Sequence, residues 1–408
     1  MDFVTPYTEE QERFRKEVQT WLEENAPEEM KEPIDLRDFT EEHYQFWRVK
    51  HQELAEKGWL YPTYPKEYGG GGLTGDHETI LAEEFYNFRI PRSFTNPYAL
   101  PALLVWGTEE QKQKFLVPLL TAKRTAWQKF TEPQSGADLA NIKSKAVRDG
   151  DDWVLTGQNV HISGRGPEPD WLFGPMLTDA DAPRHRNLGF FMIPSPAPGL
   201  EIKTQILLTS NEQHTIFLDN VRVPGDHLIG GALQGWQVTS TSLEEEHGGR
   251  GRAFPSDPVV DNLVEYVQQT KMNGGALGDD PILQQRTMDA YIDAHVDALM
   301  AKRTFWMYQN RMEISYEGNV HNVHNRLKTM RQAIRVRDIM KMDAFLDTNE
   351  PGAPHGGAQE VEQRYAAGQR HAAGSTNIAK VILARRIGIS RTKERPAPTP
   401  STATTHTG

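Results

Sequence analysis

The side chains of this chain that could do chemistry fall in two places. One is the stretch TEPQSGADLANIKSKAVRDGDDWVLTGQNVHISG, Thr131 to Gly164, which holds the hydroxyls of Thr131 and Ser163, the imidazole of His161, and two small residues, Gly136 and Ala137, in a polar turn. The other is Leu243-Glu244-Glu245-Glu246-His247, where three successive carboxylates precede a histidine and two glycines. A positioned carboxylate can act as a general base, and burial raises its proton affinity toward the working pH. Cysteine is absent, which excludes disulfides, thiol catalysis and thiolate metal ligands. Taken singly, Thr131 is a turn residue, Ser163 a strand end, His161 a satisfied histidine, and the glutamates a solvated helix face. Their joint spacing sets them apart.

The elements that must position them read as follows. The turn Thr131 to Asp138 leads into an alternating run, Ile142 to Arg148, joined by Asp149-Gly150-Asp151-Asp152 to Trp153-Val154-Leu155. After a further tight turn Val160-His161-Ile162 resumes, as in hairpins. Trp171 to Leu177, Leu188 to Ile193, Leu200 to Leu207 and Thr215 to Leu218 are short apolar or alternating runs bounded by Pro, Gly, Asn and Asp, which predicts a compact β-barrel or sandwich.

Helices flank this region. Thr8-Glu9-Glu10-Gln11 and Thr108-Glu109-Glu110-Gln111 are capping-box patterns. Phe14, Val18, Trp21 and Leu22 then form an apolar stripe at helical spacing. Helices are predicted from about Glu41 to Lys57, stopped by Gly58, and from His77 to Phe88. Between them YPTYPKEYGGGG, Tyr61 to Gly72, reads as a flexible linker. Beyond residue 250, Pro258 to Gln269, Pro281 to Arg311 and His321 to Leu346 carry helical spacing, with Met288, Ile292, His295 and Leu299 on one face read as core. Asn349 to Gly374 reads as a loop, and the tail from residue 391, rich in Pro and Thr, as disordered.

At 408 residues the chain is long enough for two or three domains. No apolar run approaches the length of a spanning helix, and the acidic N-terminus lacks the plan of a signal peptide, so a cytoplasmic protein is expected. A net charge of −11 with scattered Lys and Arg argues against a nucleic-acid surface. No metal site is expected.

TEPQSGAD, the hairpin behind it and the His161-Ile162-Ser163 segment together resemble the signature of the acyl-CoA dehydrogenase family, and Asp219-Asn220-Val221-Arg222-Val223-Pro224 is similar to the end of that family's β domain. The resemblance implies an α+β fold: an N-terminal helical domain (1–124), a middle antiparallel β-barrel or sandwich with the flavin signature (125–232), a C-terminal helical domain (233–390) and a disordered tail (391–408). The cofactor it implies is FAD. Phe130 and Thr131 would line the edge of the flavin ring, His161 would lie against one face, Ser163 would bond the reactive nitrogen, and Gly136 and Ala137 would approach the pyrophosphate. Leu243-x-x-Glu246-His247 matches the Leu-x-x-Glu-Arg segment of members that carry their base on this helix, which makes Glu246 the catalytic base.

The implied reaction is oxidation of an acyl-CoA thioester to the 2,3-enoyl-CoA, with electrons passed to an electron-transfer flavoprotein, in a homo- or hetero-oligomer such as a dimer of dimers serving lipid catabolism. Pro183-Arg184-His185-Arg186 and the helix-borne base lean toward long, branched or polycyclic acyl chains. Departures from the pattern are Ala137 for a Ser or Thr, His161 for a larger ring, Lys271 to Asp280 in place of an Arg-x-x-Phe-Gly segment, and a C-terminal end that reads as shortened or altered. They keep two alternatives open: a non-catalytic partner subunit of a heteromeric acyl-CoA dehydrogenase, and a reduced-flavin monooxygenase on the same fold.

Overall fold

The computed structural model describes residues 3, 7–209, 212–247, 257–272, 274–368 and 375–390, the side chains of 244–247 and 272 excepted. The N-terminal part is helical: α1 (Glu9–Asn25), α2 (Glu41–Glu56), α3 (Gly75–Asn87), α4 (Ala99–Trp106), α5 (Glu109–Gln111) and α6 (Val117–Leu120). The hydroxyls of Thr8 and Thr108 accept from the N–H groups of Gln11 and Gln111, whose side chains bond back to the cap. Thr40 caps α2 in the same way with the ring of His43 in place of a glutamine. Val18, Leu22, Trp47, Leu54 and Leu81 then bury their side chains in one cluster.

The glycine-rich stretch is not a flexible linker. The N–H groups of Gly70, Gly71 and Gly72 donate to the carbonyls of Pro65, Tyr61 and Tyr64. A Cβ on Gly71 would lie 2.1 Å from the carbonyl oxygen of Gly58, so the glycine serves close packing of two backbones.

The middle of the chain is an eight-stranded sheet: β1 (Ala126–Gln128), β2 (Lys145–Asp149), β3 (Asp152–Ser163), β4 (Trp171–Leu177), β5 (Leu188–Pro194), β6 (Leu200–Ile206), β7 (Glu212–Val223) and β8 (Leu228–Ile229). The order is β6-β7-β3-β2-β4-β5-β8, with β1 on β4. Hairpin neighbours are antiparallel as expected, while β1 and β2 meet β4 in parallel, so the sheet is mixed. The two runs expected on either side of a turn at Thr156 to Asn159 are one twelve-residue strand, β3, with irregularities after Leu155 and Asn159. Gly157 reads as a turn residue, but a Cβ there would lie 2.1 Å from Ser144 Oγ; close approach is the reason for the glycine.

The chain becomes helical again in α7 (Gly235–His247), α8 (Pro258–Gln269), α9 (Pro281–Gln309), α10 (Glu317–Met340), α11 (Ala358–Gly368) and α12 (Thr376–Arg386), with a small hairpin, β9 (Lys271–Met272) and β10 (Gly275–Ala276), between α8 and α9. Two expectations change. The stretch read as a loop contains α11, whose Arg364 reaches the fully buried carboxylate of Asp35 and so ties this helix to the N-terminal part. The face of Met288, Ile292 and Leu299 is not core: each is about half exposed in the single chain. The expected tail, 391–408, lies outside the described residues. Among the described residues no helix is long and apolar enough to cross a membrane, and no group of three or more His, Asp or Glu is placed to hold a metal ion.

Candidate active site

Strand β1 delivers the signature turn. Beyond its end, Lys129 N–H still donates to Phe173 on β4, and Phe130 packs edge-on against Phe173 and Phe190. The turn is then fastened to β3. The Thr131 carbonyl accepts from Val160 N–H at 2.9 Å and from Asn159 Nδ2 at 3.2 Å, and the Phe130 carbonyl takes a weaker bond from the same amide at 3.4 Å. Glu132 and Ser135 exchange both backbone hydrogen bonds. The buried Glu132 carboxylate accepts from the N–H groups of Lys143 at 2.6 Å and Ser144 at 2.8 Å.

These bonds set Phe130 and Thr131 beside the end of β3, where His161 and Ser163 stand. His161 has φ of 60° at the irregularity of β3, a conformation that a residue with a Cβ adopts only where its surroundings impose it. Its exposed ring lies 3.1 Å, through Nδ1, from Gln213 Oε1 on β7. Ser163 is exposed, and Gly164 after it lies under the ring of Trp127, which is itself stacked on His214 at 4.4 Å. Gly136 and Ala137 are exposed at the outer end of the turn.

Helix α7 lies on β4 and β5. Gly235 lets it start there, since a Cβ would lie 2.5 Å from the backbone of Gly189. Trp106 Nε1 on α4 donates to Thr241 Oγ1 at 2.9 Å, and Val238 and Leu243 join the cluster around Phe130. Glu246 falls in the last turn of α7, and its side chain lies outside what the structure describes.

Sequence reasoning gave no role to four residues in and around the signature. Asn159 and Glu132 position the turn and Trp127 covers Gly164. Gln128 shares the strand side of Phe130, two residues on, and its buried Nε2 has no partner among the described residues. Alternation in β1 was the available signal for Gln128; the others depend on contacts between strands remote in sequence.

The comparisons with known proteins bear on this arrangement. Models of the acyl-CoA dehydrogenase N-terminal, middle and C-terminal domains match residues 8–123, 128–221 and 234–388. The chain belongs to the acyl-CoA dehydrogenase family. Its relative IpdE1, an acyl-CoA dehydrogenase of Mycobacterium tuberculosis, is 30% identical over 293 residues, 69% of this chain and 73% of that protein. FadE34, an acyl-CoA dehydrogenase of the same organism, is 33% identical over 256 residues, 61% of this chain and 34% of its own. Among solved structures the ChsE4-ChsE5 complex from Mycobacterium tuberculosis superposes with a TM-score of 0.82 at 23% identity, covering 95% of this chain and 100% of the other. A glutaryl-coenzyme A dehydrogenase in complex with glutaryl-CoA gives 0.73 at 20%, covering 97% and 99%. At that identity the two structures establish the fold. Membership in this family of flavin-dependent oxidoreductases makes the chain an acyl-CoA dehydrogenase, the enzyme class that the signature turn implies.

The residues present fit a flavin. The hydroxyls of Thr131 and Ser163 make no hydrogen bond among the described residues, nor do the N–H groups of Gly136 and Ala137. With the orphaned Gln128 amide, they form a set of unspent donors along one turn and one strand end, as a diphosphate and a heteroaromatic ring edge require.

Proposed function

We propose that this protein uses FAD to oxidise an acyl-CoA thioester to the 2,3-enoyl-CoA and passes the electrons to an electron-transfer flavoprotein. The observation that supports it is the fastening of the Thr131 to Asp138 turn onto β3, by Asn159 and Val160, with its donors unspent. Thr131 and Ser163 would hold the ring edge, Phe130 would supply an apolar contact, His161 would lie against a face, and the N–H groups of Gly136 and Ala137 would meet the diphosphate. A bound flavin would supply the acceptor for the hydride that leaves the β carbon of the substrate. Glu246, on the helix packed over β4 and β5, takes the α proton; a carboxylate desolvated by an acyl chain holds a proton affinity suited to that step.

The apolar face of α9, with Ile282, Ile292 and Leu299 exposed in the single chain, supports assembly into an oligomer, whether with copies of itself or with a related subunit. A heteromer in which this chain is the non-catalytic partner is the second reading, and the same experiment separates the two. The visible spectrum of the purified protein is recorded before and after anaerobic addition of mixed acyl-CoA thioesters. Bleaching of a bound flavin in the wild type, and its loss by about 10²–10⁴-fold in rate in Glu246→Gln with flavin retained, assigns the reaction and the base. A protein that stays colourless with added FAD is not a self-sufficient dehydrogenase.

A further inference from the structure

One buried cation has no part in the reaction as described. Lys129 is fully buried just past the end of β1, and the two residues after it are Phe130 and Thr131, which would meet the flavin's ring edge. At the rise of a strand the three residues span about 7 Å. Phe130 enters the cluster of Phe173 and Phe190, whereas the Lys129 ammonium lies on the other face, against Met176 of the cluster that holds Trp127 and Leu155. Its partners among the described residues are the Met176 sulfur at 3.0 Å and the Pro175 carbonyl at 3.4 Å, and neither is an anion.

The surrounding elements do not supply a counter-ion. No residue of β4 or β5 is ionisable. Lys143 and, on β2, Lys145, Arg148 and Asp149 are exposed, as are His161 on β3 and Glu212, Asp219 and Arg222 on β7. Asp152 is paired with Arg222, and His214, stacked on Trp127, is kept neutral by burial. Glu132 acts on the ammonium only through space, because its oxygens take the N–H groups of Lys143 and Ser144 and the amide of Gln134. Burying an unpaired cation is costly, so its place directly ahead of the ring-edge residues calls for a use.

A hydride brings two electrons and one proton, so a ring system that accepts it gains one negative charge. A buried cation nearby favours that charge, and salt screens the interaction little. We propose that the Lys129 ammonium, held beneath the ring-edge turn without an ion-pair partner, raises the reduction potential of the flavin. The inference rests on the flavin reading of the turn and not on which thioester is the substrate. Coupling of this kind is reciprocal: a cation that favours the reduced ring is itself favoured by it. Burial pushes the Lys129 pKa down to about 8, so the residue is charged at neutral pH, and reduction draws a proton onto it just above that value.

The test is a spectroelectrochemical titration of the flavin-loaded protein without thioester, wild type against Lys129→Met and Lys129→Gln, from pH 7 to pH 9.5. At pH 7 each variant is expected to lower the equilibrium constant for two-electron reduction by about tenfold, a midpoint about 30 mV more negative. The wild-type midpoint should fall by about 30 mV per pH unit near pH 7, one proton for two electrons, and more steeply beyond pH 8, while the variants keep a single slope. Equal potentials in wild type and variants, or variants with the wild-type change of slope, overturn the proposal. Where both variants lose flavin the wild-type slope decides, and a constant slope overturns it. A wild type that takes up no FAD sinks the flavin reading and this inference with it. Shifted potentials in a protein whose flavin no thioester bleaches sink the dehydrogenase reading and leave the role of Lys129 standing.

Discussion

Glu132 and Ser144 are joined by a hydrogen bond of 2.8 Å from the Ser144 N–H to the Glu132 carboxylate, which links the signature turn to the segment entering β2 across twelve residues. The same carboxylate accepts from Lys143 N–H, and Gln134 Nε2 closes onto it from within the turn. A buried carboxylate with this many donors is a structural clasp rather than a reacting group.

Removal of that clasp should loosen the turn. Glu132→Ala orphans two backbone N–H groups in a site where Glu132 is only 2% exposed, at about 1–3 kcal/mol each. The expected outcome is a large fall in melting temperature together with loss of flavin during gel filtration. Retention of full flavin content would show that the turn is held by its bonds to β3 alone.

Gly164 supports a sharper test. A Cβ there would lie 2.2 Å from Cε2 of Trp127, and the Trp127 ring cannot retreat without leaving His214, on which it is stacked at an interplanar angle of 21°. Gly164→Ala should cost about 1–3 kcal/mol through overpacking and displace the adjacent Ser163. A changed visible spectrum of bound flavin alongside the lowered melting temperature is the expected pair of readouts. A stable variant with an unaltered spectrum would mean that Trp127 has room to move.

The turn, the strands and most helices were legible because their signals are local: capping boxes at Thr8 and Thr108, alternation in β2, a short apolar run at β4, a Gly after α2. What stayed hidden depends on partners far along the chain. Gly157 and Gly71 carry the residue type of a turn or a linker, yet each is a glycine because Ser144 or Gly58 presses on it. The cap of α2 escaped because His43 does the work of a glutamine. The helix α11 escaped because Gly356 and Gly357 stand just ahead of it, both at positive φ, and because Arg364 finds its partner, Asp35, more than three hundred residues away. In the site itself, Thr131 and Ser163 were found through the family pattern, whereas Asn159 required the strand pairing.

His51 makes the N-terminal helical part acid-sensitive. Its ring is fully buried beside Trp47 and Phe94, with Nε2 on the Pro91 carbonyl at 3.0 Å, and burial pushes its pKa down to about 4. The unfolded chain takes up the proton near pH 6.5, so stability is whole above that value and falls as the pH drops toward 4. His51→Gln keeps a donor for Pro91 without a titrating ring. Its melting temperature should decline less than that of the wild type between pH 7 and pH 5, and parallel declines would exclude His51 as the source.

Lys129 yields a dependence of the same sign in an alkaline window. This residue is fully buried just past the end of β1, next to Phe130, and among the described residues its ammonium has only the Met176 sulfur at 3.0 Å and the Pro175 carbonyl at 3.4 Å as partners. Glu132 favours the charged form only through space, and desolvation dominates, pushing the pKa down to about 8. Below that pH both the folded and the unfolded chain carry the charge, and the folded state bears the cost of burying it. As the pH rises from about 8 toward the ordinary value of 10.5, the folded chain has already lost its proton while the unfolded chain has not, so this contribution favours folding increasingly. Lys129→Met, which preserves an unbranched chain, should therefore stabilise the protein by about 1–3 kcal/mol at neutral pH, and the advantage should shrink between pH 8 and pH 10. Denaturant titrations of both proteins at pH 7 and pH 10 check it. A variant less stable than the wild type at pH 7 would mean that the ammonium is held by interactions stronger than a thioether and a long carbonyl contact.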